Sequence, residues 1–140
     1  MDIKKNILLV CENAILDESK RLSLINTFDV LYAPSIPVRH DKFFVVGNFR
    51  IEKATVKDKN LELSVTITSP SGKELIQKPP VITRPVDHAG SVQNIGGIFE
   101  MRGVIFPEFG DYKINFFVNK NLMDYFCLSV KKQIKSDVRE

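Results

Sequence analysis

The stretch FEMRGVIFPEFGDYKINFFVNKNLMDYFCLSV, residues 99–130, decides the fold. One apolar run ends at Phe106, and a tight corner follows from Pro107 to Asp111. A second run starts at Tyr112, with Tyr112, Ile114, Phe116 and Val118 on one side and Lys113, Asn115, Phe117 and Asn119 on the other. The chain turns at Asn119 to Asn121 and returns with Phe126, Leu128 and Val130 facing the same way as the first set. A period of two over this length is the signature of strands with one packed and one wet side.

Leu61 to Thr68 repeats the pattern: Leu61, Leu63, Val65 and Ile67 against Glu62, Ser64, Thr66 and Thr68. Ile3 to Glu12 reads as a first strand with apolar residues on both faces, so part of it is covered twice. Glu12 to Arg21 is polar and turn-like. Leu22 to Tyr32 is extended with a bend or bulge at Asn26-Thr27. Ala33 to Lys42, with Pro34 and Pro37, is expected to be a loop crossing between sheets. Phe43 to Ile51 resumes extended structure around Gly47, which marks a bulge or a close backbone approach. Residues 77–97 hold Pro79, Pro80, Pro85 and Gly96-Gly97 and read as a long irregular loop with a short edge strand near Val81 to Arg84. Gly103 is expected to reset the register through a bulge, so that Phe99, Met101, Val104 and Phe106 all point inward.

About seven to eight strands and no substantial helix make an all-β chain. The corner Glu108-Phe109-Gly110-Asp111-Tyr112 narrows it to an immunoglobulin-like antiparallel β-sandwich, in which a tyrosine near the start of the F strand bonds back to the backbone. Gly110 supplies the positive φ such a corner needs, so Gly110 and Tyr112 are structural residues. Residues 1–131 form one domain, and 132–140 are a frayed polar tail.

Composition agrees with an ordinary core: 140 residues, 44% hydrophobic and 26% charged, with ten Phe and no Trp. The net charge of +3 is evenly spread, 10 basic and 9 acidic side chains in residues 1–70 against 10 and 8 in residues 71–140. No basic cluster points to nucleic acid, and no apolar run approaches a membrane helix of ~20 residues. Lys4-Lys5 before Ile7 to Cys11 is too short an apolar run for a signal peptide. Two cysteines make no disulfide framework, and Cys127 alternates outward, so both are expected to be reduced thiols of a cytoplasmic protein.

The chain also resembles a family of small bacterial and phage-associated domains of unknown function. The resemblance rests on Leu9 to Ala14, Arg21 to Asp29, Pro37, Ser69-Pro70-Ser71-Gly72 and Val104 to Tyr112, with Asn26 where the family more often has glycine. It implies a sandwich and transfers no active site.

The adjacent His/acid pairs, His40-Asp41 and Asp87-His88, sit in expected loops with Arg39 and Arg84 nearby, a weak site for a small ligand or a hydrolytic step. Two histidines and scattered carboxylates do not specify a metal. No serine or cysteine has a recognisable base, and Asn94 to Gly97 lacks the spacing of a phosphate loop. The sequence therefore points away from an enzyme and calls for no cofactor. Phe44, Val46, Phe117 and Tyr125 fall on sides that should be wet, a candidate interface for a protein partner or a second copy. A role as a particle assembly component, as in phage, is the alternative.

Overall fold

Strand formation follows the period-two pattern almost everywhere in the computed structural model, which describes residues 1–19, 21–55, 57–87 and 92–134. Nine strands and no helix lie among those residues: β1 (Asp2–Leu16), β2 (Leu22–Thr27), β3 (Val30–Ala33), β4 (Val38–Glu52), β5 (Asn60–Thr68), β6 (Val81–Pro85), β7 (Val92–Phe106), β8 (Gly110–Val118) and β9 (Asn121–Lys132). They form a four-stranded sheet in the order β2-β1-β4-β7 and a five-stranded sheet in the order β3-β9-β8-β5-β6. The fold is an immunoglobulin-like β-sandwich. Its pairs are antiparallel except β3 with β9, which run parallel.

The core is the space between the sheets. Phe43, Val45, Phe49 and Ile51 of β4 face Leu61, Leu63, Val65 and Ile67 of β5, with Ile114 and Phe116 of β8 and Leu128 and Val130 of β9, all nearly or fully inaccessible. Each such side chain contributes about 1.5–3 kcal/mol on burial. Gly47 leaves room for a ring from the facing sheet: a Cβ there would lie 2.3 Å from Phe116 Cε2. Gly97 pairs directly with Gly47, and a Cβ on Gly97 would crowd the Phe99, Ile82 and Leu63 side chains at 3.1, 3.3 and 3.4 Å. The Phe116 ring beside Gly47 packs 4.8 Å from Phe49 and 5.8 Å from Phe99.

Two left-handed residues reorient the four-stranded sheet. Gly103 has φ of 63°. Phe99 and Met101 point into the core before it, and Val104 and Phe106 after it. On β4 the same reversal occurs opposite, because Val38 and His40 pack on the core side as Phe43 does. The pairing does not slip, since Phe43 meets Met101 and His40 meets Val104. The expected bulge is thus corrected: no residue is inserted, and one left-handed residue turns both strands over.

Asn26 repeats the device with φ of 54°, opposite Glu12, to whose carboxylate its side-chain amide donates at 2.8 Å. Cys11 still meets Thr27 and Asn13 still meets Ile25. Beyond this point Ala14, Leu22 and Leu24 fall on the outer side of the sheet, where they pack with Cys11, Phe44 and Val46.

Several expected boundaries move. β1 continues to Leu16 through part of the expected turn at 12–21, because the hairpin with β2 pairs Leu16 with Leu22. β4 begins at Val38, so Arg39, His40 and Asp41 lie on a strand and not in a loop. The long loop of 77–97 contains β6, as expected at the sheet edge, and ends at Val92, where β7 starts. Gly96 and Gly97 are strand residues. Residues 74–76 hold only an isolated bridge, Thr68 with Glu74, and Leu75 N–H donating to Ile67 O at 2.8 Å. Of the tail, residues 135–140 lie outside the described residues.

Candidate functional site

The corner forms as its spacing predicts. The Tyr112 hydroxyl donates to Glu108 O at 2.7 Å and accepts from Glu108 N–H at 3.0 Å. Burial of the ring pushes the phenol pKa up, and the Phe106 ring meets it edge-on at 5.0 Å. Gly110 has φ of 132°, and a Cβ there would lie 2.8 Å from Pro70 Cγ. Glu108 reaches the same 69–73 turn, accepting from Ser71 Oγ at 2.5 Å, and this bond holds its carboxyl below the usual range. Gly110 and Tyr112 are structural. They position β8.

The four residues expected at one interface divide between two sheets. Phe44 is 8% exposed and Val46 1%, because the β1–β2 hairpin and Ile98 cover them on the outside of the four-stranded sheet. Their expected wet face is corrected: the apolar residues on both sides of β1 and β4 serve two cores, one on each face. Phe117 and Tyr125 lie on the outer face of the five-stranded sheet. There Phe117 pairs with Leu122 on one side and Ser64 on the other, and Ser64 pairs with Val81. A register shift after Phe116 turns Leu122 to this face. Phe117 is half-buried, while Val81 (53%), Leu122 (53%) and Tyr125 (49%) are exposed. Tyr125 pairs with Asn115 and lies 5.0 Å under the Lys113 ammonium. The Asn115 amide donates to Thr66 and Thr68 Oγ1 at 3.1 and 3.0 Å, which fixes the polar part of the face.

Sequence reasoning missed Val81 and Leu122. Val81 carried a usable signal, since it precedes Ile82, which faces inward opposite Leu63. Leu122 carried none, because its side depends on the register shift.

The weak site around the two His/acid pairs does not assemble. Arg39 and Asp41 point outward on β4, 3.9 Å apart and well exposed, while the His40 ring turns inward between Phe28 and Phe43. Arg84 Nε donates to Gly96 O at 3.0 Å. Asp87 N–H donates to Gln93 Oε1 at 2.9 Å. Gln93 pairs with Ile51 and Val104 pairs with His40, so Asp87 and His40 stand toward opposite ends of β4, roughly 36 Å apart along a strand rising about 3.3 Å per residue. His88 lies outside the described residues. Among the described residues, no three His, Cys, Asp or Glu side chains gather as a metal site.

Cys11 is buried and Cys127 exposed, on opposite sides of the sandwich, and neither is in a disulfide. Burial raises the Cys11 thiol pKa. No helix among the described residues is long and apolar enough to cross a membrane.

One further concavity, about 470 Å³, runs beside the free edge of β7. Leu75, Ile76 and Pro80 form its far wall, and residues 100–105 form the near one.

Residues 6–131 match the model of a family described as a family of unknown function, DUF6941. No curated protein matches the chain in sequence. Among solved structures, the chain is similar to the alkylpurine DNA glycosylase AlkC of Pseudomonas fluorescens, bound to DNA containing an abasic site analogue, at 12% identity and a TM-score of 0.52. That match covers 92% of this chain and 30% of the glycosylase, so the chain spans less than a third of that protein, and the likeness is one of fold alone. An immunoglobulin-like protein from Pseudomonas aeruginosa matches at 10% identity and a TM-score of 0.39, over 94% of this chain and 98% of that one.

Proposed function

This chain belongs to the family of unknown function DUF6941, and we propose for it a role drawn from its own surface: a non-catalytic module that binds another protein or a second copy of itself. The supporting observation is the row of Val81, Phe117 and Leu122 with neighbouring Tyr125 on the outer face of the five-stranded sheet. Apolar and aromatic side chains grouped on one face, bordered by Lys113 and the Thr66–Asn115–Thr68 network, have the make-up of an interface centre with a polar rim. Tyrosine is among the residue types enriched where such patches concentrate their binding energy.

Leu122→Lys and Tyr125→Lys change only exposed side chains, so the fold is retained. Sedimentation equilibrium at tens of micromolar, with affinity capture from host lysate, reads the outcome. Wild-type dimers or a captured partner that both substitutions remove support the role. Association unchanged by the pair assigns it to another surface, and a wild-type monomer that captures nothing refutes it.

A further inference from the structure

The four-stranded sheet ends in β2 on one side and β7 on the other. Edge strands in soluble proteins are commonly blunted by charge or proline. β2 has neither, being Leu22-Ser23-Leu24-Ile25-Asn26-Thr27. β7 is guarded over part of its length, where Arg84 bonds the Gly96 carbonyl. That bond shows that Gly96 directs its backbone groups away from β4. By the two-residue period, Ile98, Glu100 and Arg102 direct theirs the same way, and β4 is the one strand that pairs with β7 among the described residues. Glu100 and Arg102 bond to each other, so this edge is close to neutral.

We propose that the β7 edge from Ile98 to Arg102 accepts β2 of a second copy of this chain, continuing the sheet head to tail. Three observations fit that occupant. Every pair in this sheet is antiparallel, so β2 and β7 run in opposite directions. A second copy in the same orientation therefore sets its β2 antiparallel to β7 without being turned round. Neither strand brings an unpaired charge to be desolvated, which suits a contact between uncharged β2 and the self-paired Glu100 and Arg102. The faces match as well. Beyond the reversal at Asn26, Ile25 projects to the core side of β2 and is 42% exposed in the single chain. The groove beside β7 opens on the core side, walled by Leu75, Ile76 and Pro80. Strand addition would supply main-chain hydrogen bonds, and Ile25 in the groove would supply the specificity. Such a contact joins two different surfaces, so it propagates into open chains of copies unless rotation closes a ring. It uses a different part of the molecule from the outer face of the five-stranded sheet.

Analytical ultracentrifugation of the full chain, alone and in mixtures, tests it. The wild type is expected to grow past a dimer with rising concentration. Ile25→Lys removes the donor side chain at an exposed position and is expected to be monomeric at the same concentrations. Arg102→Pro removes an edge-facing N–H from the acceptor, at a strand edge where proline is tolerated, and is expected to be monomeric too. Mixed one to one, the two variants are expected to form a dimer and nothing larger, because one intact donor and one intact acceptor remain. A wild-type monomer, wild-type growth that Ile25→Lys leaves unchanged, or a mixture that stays monomeric overturns the proposal. A wild-type dimer that Leu122→Lys abolishes and Ile25→Lys leaves intact assigns association to the five-stranded sheet and overturns it equally.

Discussion

Tyr112 holds the corner by using both capacities of one hydroxyl, as donor to the Glu108 carbonyl and acceptor from the Glu108 N–H. Removing that oxygen strands two backbone groups beside a ring that is itself inaccessible. Tyr112→Phe is therefore expected to lower unfolding stability by about 1–3 kcal/mol, the usual cost of unsatisfied polar groups. Urea titration followed by fluorescence checks this, and a midpoint equal to the wild type would show that the corner stands without the bond. This residue was legible in the sequence because its partners are four residues away and the spacing alone specifies them. The same holds for the turn at Asn119 and Lys120, both of which take positive φ as a two-residue hairpin needs. Phe44 was misjudged for the opposite reason. Its cover comes from Leu22 and Leu24, and nothing local to Phe44 announces them.

Elements were legible wherever one face is packed and one is wet, as in β5 and β8, and blurred where strands change sides partway. β4 carries Arg39, His40 and Asp41 because its reversal opposite Gly103 leaves Arg39 and Asp41 outward in solvent while His40 packs inward. Polar composition there imitates a loop. The β1–β2 hairpin behaves in the same way, its reversal resting on Asn26. An alanine held at φ near 54° costs about 1–2 kcal/mol, whereas glycine adopts it freely. Asn26→Ala is accordingly expected to lose about 1–2 kcal/mol and Asn26→Gly distinctly less, since glycine forfeits only the bond to Glu12. Equal losses in denaturant titrations of the two variants would mean that the conformation at Asn26 carries no strain for alanine.

Across the whole molecule the two sheets are joined at one open side by Lys5 of β1 and Asp124 of β9, 2.7 Å apart. The bond to Lys5 holds the Asp124 carboxyl below its ordinary value. A carboxyl whose folded pKa is depressed contributes stability above its unfolded pKa of about 3.9 and loses it as pH falls through the lower folded value. Asp124→Asn is expected to cost up to about 1 kcal/mol at pH 7, the upper end for a half-exposed pair, and almost nothing at a pH below the folded value. Thermal unfolding at the two pH values measures this, and an equal loss at both would mean that the bridge contributes nothing through charge. The sheet order itself was beyond sequence reading, because alternation says which side of a strand is packed but not which strand lies beside it. One pairing shows what that order means for a chain emerging from the ribosome. Val30 of β3 meets Ser129 of β9 in parallel, and β9 is made after every other described strand. The β3 edge therefore stays unsatisfied until β9 has been made, and a chain stalled before β9 would present β3 and the uncovered side of β8 together to whatever binds nascent strands.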